Sequence, residues 1–104
     1  MNYTGTAAVT AEVIRRTGTT AAIHITGGNA ECDLAGNGIS MVYMTAVSDA
    51  EDALAVLSSL AQAASAAGDD DMMIVPVTAA YSERRENGYV RWCQKYEIWY
   101  RGGL

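Results

Sequence analysis

Phenylalanine is absent from this chain, and proline, histidine and lysine occur once each, as Pro76, His24 and Lys95. Two cysteines, Cys32 and Cys93, are too few and too far apart for a disulfide scaffold. In a reducing compartment they read as small, partly buried hydrophobes. They form none of the paired spacings of a zinc site with His24, so neither a metal nor a cofactor is expected. His24 lies in no recognisable nucleophile–base motif; no catalytic residue is assigned and the chain reads as non-enzymatic. No apolar run approaches the roughly 18 to 20 residues that cross a bilayer. The first residues, MNYTGTAAVTAEVIRR, place no basic segment ahead of an apolar stretch, so no signal peptide is expected and the location reads as cytoplasmic.

Positive charge is missing from the whole middle of the chain. Between Thr17 and Ser82 there is no lysine or arginine, while the same span carries Glu31, Asp33, Asp49, Glu51, Asp52, Asp69, Asp70 and Asp71. The formal charge is −5. Such a chain is repelled at long range by nucleic acid and by anionic membranes, and attracted to basic proteins. Direct nucleic-acid binding is therefore disfavoured and no membrane partner is expected.

What is present is a single domain's worth of strand and helix signals across residues 1–104. Val9, Ala11 and Val13 alternate through TAAVTAEVI (6–14), as do Ala21, Ile23 and Ile25 through TTAAIHIT (19–26). With Gly18 between them, the pattern predicts a hairpin. After a break at 27–29, a short strand near 30–35 and a longer one at 39–47 flank Gly36-Asn37-Gly38, a strong hairpin signal. Ser48-Asp49-Ala50-Glu51 has the form of a capping box and opens a helix over about 49–67, with Gly68 as its terminating residue. Its apolar face holds Ala50, Ala53, Leu54, Leu57, Leu60, Ala61 and Ala64. MMIVPVTAAY (72–81) reads as a strand that is either an edge or bulged, because Pro76 cannot donate to a ladder. A turn with Asn87-Gly88 leads to a last strand, Tyr89 to Tyr100, and residues 101–104 read as a frayed tail. The expected fold is α+β: an antiparallel sheet of about five or six strands in the order ββββαββ, with a single helix on one face.

YVRWCQKYEIWY (89–100) concentrates five of the eight aromatic residues. Alternation puts Val90, Trp92, Gln94, Tyr96, Ile98 and Tyr100 toward the helix and Tyr89, Arg91, Cys93, Lys95, Glu97 and Trp99 toward solvent. An exposed Trp near Arg has the composition of an interface. Asp69, Asp70 and Asp71 follow a helix C-terminus, where carboxylates are locally unfavourable. The partner-binding residues expected are therefore Asp69, Asp70, Asp71, Tyr89, Arg91 and Trp99. TGTT (17–20) and TGGN (26–29) precede no helix and read as turns rather than phosphate cradles.

One helix covers one sheet face, so the other stays open, presenting either Met41, Tyr43 and Thr45 or Val42 and Met44. The leading expectation is a small protein-binding module that occupies a basic surface of another protein. Phage- or mobile-element-encoded inhibitors of nucleic-acid-handling host proteins have this profile of size and charge. The alternatives are an assembly subunit that completes its sheet by self-association, such as a homodimer, and a ligand-binding domain or enzyme with its site on the open sheet face.

Overall fold

The computed structural model describes residues 3–31, 38–84 and 88–103, with backbone alone at 28–31 and 103. The fold is α+β. Its elements are β1 (Tyr3–Thr4), α1 (Thr6–Thr17), β2 (Ala22–Glu31), β3 (Ile39–Ser48), α2 (Ala53–Ala67), β4 (Met72–Pro76), β5 (Tyr81–Arg84) and β6 (Val90–Gly103). The six strands form one mixed sheet. β2, β3 and β6 lie side by side, and the far edge of β6 is shared end to end by β5, β4 and β1. Every pairing is antiparallel except that of β1 with β6. Among the described residues there are two helices, not one, and the order is βαββαβββ.

The strand expected over 6–14 is a helix. Val9 and Val13 are four residues apart, a spacing that shares one face in both periodicities, and both are fully buried. Ala11, which strand alternation would bury with them, is exposed. The β-branched threonines are accommodated because Thr10 and Thr17 donate their hydroxyls back to the carbonyls of Thr6 and Val13, at 2.8 and 2.7 Å. Gly18 ends the helix in the left-handed conformation (φ 62°), its amide bonded to the Ile14 carbonyl at 2.8 Å.

The expected first hairpin therefore does not exist. Residues 22–31 form one strand, β2, which runs through Gly27 with register shifts after Ile25 and pairs with β3. Asn37, the end of the strand expected near 30–35, Cys32 and Asn87 lie outside the described residues.

α2 begins four residues later than its capping box implies. Ser48 is still paired with Trp92 in the sheet, and its hydroxyl accepts only from the Ala50 amide, at 3.3 Å. The chain turns through 51–52 before the helix axis can lie across the sheet. Ala53, Leu57, Leu60 and Ala64 are buried as expected, whereas Leu54 and Ala50 are exposed, Ala50 lying before the helix, and Ala61 is half-buried. Gly68 is extended (φ −68°, ψ 144°) rather than left-handed, so it does not cap the helix.

The stretch 72–81 is two strands. β4 stops at Pro76, on the sheet edge, and four residues, 77–80, stand opposite only Gln94 and Lys95 before β5 resumes the pairing. Thr78 holds this bulge. Its hydroxyl accepts the Lys95 amide (3.1 Å) and its carbonyl accepts the buried Gln94 amide group (3.0 Å). The Gln94 oxygen in turn accepts from the Tyr96 hydroxyl (3.1 Å), so this buried polar side chain is satisfied.

Both helices pack on the same sheet face. Val9 and Val13 of α1 and Leu57, Leu60 and Ala64 of α2 share one core with Val42, Met44, Tyr96, Ile98 and Tyr100. From Trp92 to Tyr100 the inward face of β6 is thus the one alternation predicts; Val90, expected inward, is exposed, and Cys93, expected toward solvent, is buried. Residues 101–103, expected to fray, instead extend β6. Gly102 pairs with Tyr3, its amide donates to the Gly38 carbonyl (2.8 Å), and its carbonyl accepts the Ser40 hydroxyl (2.6 Å). Gly102 has φ 130°, and a Cβ there would land on the Tyr3 backbone. Gly102→Ala is expected to destabilise the fold by about 2 kcal/mol or more, measured by urea unfolding against the parent chain.

Candidate functional site

Tyr89 immediately precedes β6, and Trp99 lies toward the strand's other end. Ten residues of strand, about 33 Å, separate them, so the six residues expected to bind a partner divide into two groups.

At one end, Asp69, Asp70 and Asp71 meet Trp99, together with Met73 and Arg101, around a small hollow of about 90 Å³. The triplet is largely committed to the fold. One Asp69 carboxylate oxygen accepts the Asp71 and Met72 amides, at 2.8 and 3.0 Å, and makes the tight turn into β4. The other lies 3.0 Å from the guanidinium of Arg16. Arg101 lies 3.9 Å from the Asp71 carboxylate and donates to the Asp70 carbonyl at 3.0 Å. The carboxylate of Asp70 is exposed. Within this group Trp99 is half-buried and donates its indole N–H to Glu97 at 3.1 Å.

Arg16 explains why three acids are tolerated after α2. Its side chain is only 8% exposed. It donates to Glu12 (2.7 Å), to the Tyr3 hydroxyl (3.1 Å) and to the Ala67 carbonyl (3.0 Å) at the C-terminus of α2, besides pairing with Asp69. A cation supplied by α1 therefore caps the negative end of α2, which has no basic residue of its own in its last turn.

At the other end, Tyr89 is 72% exposed. Arg91 is held by Glu83 on β5, with two nitrogens 2.7 and 2.8 Å from one oxygen. Cys93 is buried beside that carboxylate, its sulfur 3.6 Å from Glu83. Burial, then the Glu83 charge, pushes the thiol pKa up, the reverse of what a nucleophilic cysteine needs. His24 is exposed on the face opposite Ile23 and Ile25, as alternation predicts, and lines a shallow basin of about 490 Å³ with Thr45, Cys93 and Lys95. It stands opposite Thr45, while Cys93 stands opposite Val47, so the register places no base against the thiol. Among the described residues no three His, Cys, Asp or Glu side chains converge on a position for a metal ion.

Between the two ends lies the sheet face that both helices leave uncovered. Of the two β3 sets, Met41, Tyr43 and Thr45 lie on this face, with Tyr43 exposed, Thr45 half-buried and Met41 buried. The register aligns Met73, Trp99 and Met41 in one row and Val75, Glu97 and Tyr43 in the next. Met73 is 53% and Tyr43 43% exposed. Met73 and Val75 were not singled out from sequence; the available signal was the unbroken apolar run MMIVPV, whose facing depends on where β4 pairs.

No protein-family model, curated protein or solved structure matches this chain. No helix among the described residues is long and apolar enough to cross a membrane.

Two outcomes are expected from this chemistry. Hydrogen bonds from Arg15 and Arg16 draw the Glu12 carboxyl down to about 2, and Arg16 likewise lowers Asp69. An acid depressed in the folded state stabilises fully above its unfolded pKa, about 4.3, and loses that contribution as pH falls through the folded value. Stability should therefore decline from about pH 4.5 toward pH 2. Arg16→Ala should cost about 2–3 kcal/mol at neutral pH and flatten this acid limb, as followed by circular dichroism in urea. The Cys93 thiol should react with a thiol reagent at least about 100-fold more slowly in the native chain than in the unfolded one. For this test Cys32→Ser removes the second thiol.

Proposed function

We propose that this chain is a non-enzymatic protein-binding module that docks through the uncovered face of its sheet. The observation that supports this most is the placement of both helices on one face. It leaves Tyr43, Met73, Val75 and Trp99 on the other, in two adjoining rows at half-wet positions. Aromatic and methionine side chains over a polar rim have the composition of an interface centre. The rim at this end carries Asp70, Asp71 and Glu97, with Arg101 beside Asp71, and the chain as a whole carries −5. The partner that fits is a protein with an apolar contact point bordered by basic side chains. If that surface belongs to a nucleic-acid-handling protein, this chain acts as its inhibitor by covering it. The deep part of the interaction is apolar and the acidic rim steers approach.

The contribution of the acidic triplet is narrower than its sequence suggests, because Asp69 and Asp71 are engaged by Arg16 and Arg101. Asp70 is the member best placed to face a partner. Tyr89 and Arg91, about 33 Å of strand away, fall outside this surface.

The test is capture from a lysate of the natural host by the immobilised chain, compared with Met73→Asp and with Trp99→Ala. A specific partner is expected to be retained by the parent chain and weakened by rising salt. Met73→Asp should weaken it at least about 10-fold, as expected for a charge placed at an interface centre. Capture that is indifferent to both substitutions overturns the assignment of this face.

A further inference from the structure

A second surface lies at the opposite edge of the sheet. α1 and the free side of β2 bound an open groove of about 510 Å³. Ile23 and Ile25 line it from the strand, and Ala7, Ala11 and Ile14 from the helix. Ile14 is 42% exposed. No lysine, arginine or carboxylate lines this groove.

Among the described strands β2 pairs on one side only, with β3. An unpaired edge is a row of backbone donors and acceptors ready to take another strand, and folds commonly blunt such edges with proline, charge or a bulge. The β4–β5 edge carries two of these devices, Pro76 and the bulge at 77–80. The first half of β2 carries none. From Ala22 to Ile25 it pairs with β3 in unbroken register, without proline or a formally charged residue, and the irregularities begin only beyond Ile25.

Charge selects the occupant. Two copies of a chain with net charge −5 repel each other over most of their surfaces. They can approach closely where both lack carboxylates, and positions 6–11 of α1 and 17–30 around β2 contain none. An antiparallel strand pair is also self-complementary under two-fold rotation, because each copy offers the groups that the other accepts. We infer that two copies of this chain associate through the edges of β2, antiparallel, with α1 of each closing the groove of the other. Ile23 and Ile25 of both copies then lie on the helix side of one continuous sheet. Ala7 and Ala11, one helical turn apart, let the two helices come close, and Ile14 is covered. The open face that carries Tyr43 and Met73 stays free in this dimer, so each assembly presents it twice.

The test is sedimentation equilibrium of the full chain across a concentration series, with amide hydrogen exchange read at Ile23 to Ile25. A dimer is expected, with these amides protected at high concentration and exposed on dilution. Ala11→Glu places a carboxylate in the groove from an exposed helical position four residues before Arg15. It should keep the monomer folded by circular dichroism and weaken the dimer at least about 100-fold. Met73→Asp, on the open face, should leave the dimer intact. A parent chain still monomeric at about 100 μM overturns the inference, since an interface of ordinary size self-associates below that concentration. So does a dimer dissociated by Met73→Asp but not by Ala11→Glu. A groove that takes an extended segment of a different protein in preference to a second copy also overturns it. None of these three results bears on whether the open face captures a host protein.

Discussion

The last strand holds the sheet together. β1, β3, β4 and β5 all hydrogen-bond to β6, and only β2 does not. One side of its ladder belongs to β3 over ten consecutive pairs; the other is divided among three short strands. The inward face of the same strand supplies Tyr96, Ile98 and Tyr100 to the core, all essentially buried. The sheet cannot close until the C-terminal residues arrive, so most stabilising contacts join distant parts of the chain, an ordering that slows folding. It also explains why 101–103 are strand rather than tail: β1, only two residues long, has no other partner, and Gly102 is what permits its close approach.

Arg16 does for the helices what β6 does for the strands. A single guanidinium joins α1, the end of α2, β1 and the turn before β4. Buried ionic groups are costly unless each donor is matched, and here the Glu12 and Asp69 carboxylates, a carbonyl and a hydroxyl supply the match. This arrangement changes the meaning of the acidic triplet. Asp69 is part of the fold's wiring, so the triplet is less of a surface feature than the composition implies. In the proposed reading the weight moves to the uncovered sheet face, where exposure arises from the helices' choice of side.

The alternation in β6 was legible because its two faces differ strongly in polarity: Trp92, Gln94, Tyr96, Ile98 and Tyr100 turn inward as that pattern predicts, while Val90 is exposed and Cys93 is buried against it. The core of α2 was legible for the same reason, since Leu57, Leu60 and Ala64 recur at helical spacing. α1 was not, because Val9 and Val13 satisfy both periods and threonine, valine and isoleucine favour strands. The discriminating features were the Glu12–Arg16 spacing, the arginines in the last turn and Gly18 beyond it. The end of α2 misled in a different way: Gly68 has the composition of a cap, but the Arg16 side chain and the Asp69 turn make a left-handed residue unnecessary. Of the candidate site, Trp99 and Asp70 were found from sequence. Met73, Val75 and the groove beside β2 were not, because each depends on which strands become neighbours.

Composition and periodicity by themselves determined an α+β chain, most of the burial pattern of its longest strand, an edge at Pro76 and an acidic surplus. These are local properties, carried by side-chain chemistry at spacings of two, three or four residues. The tertiary structure alone decided that both helices share one face, that Asp69 belongs to Arg16, that Tyr89 and Trp99 stand far apart, and that β2 ends the sheet unpaired. Each of these joins residues distant in sequence, and no local spacing encodes which distant backbone a strand will find.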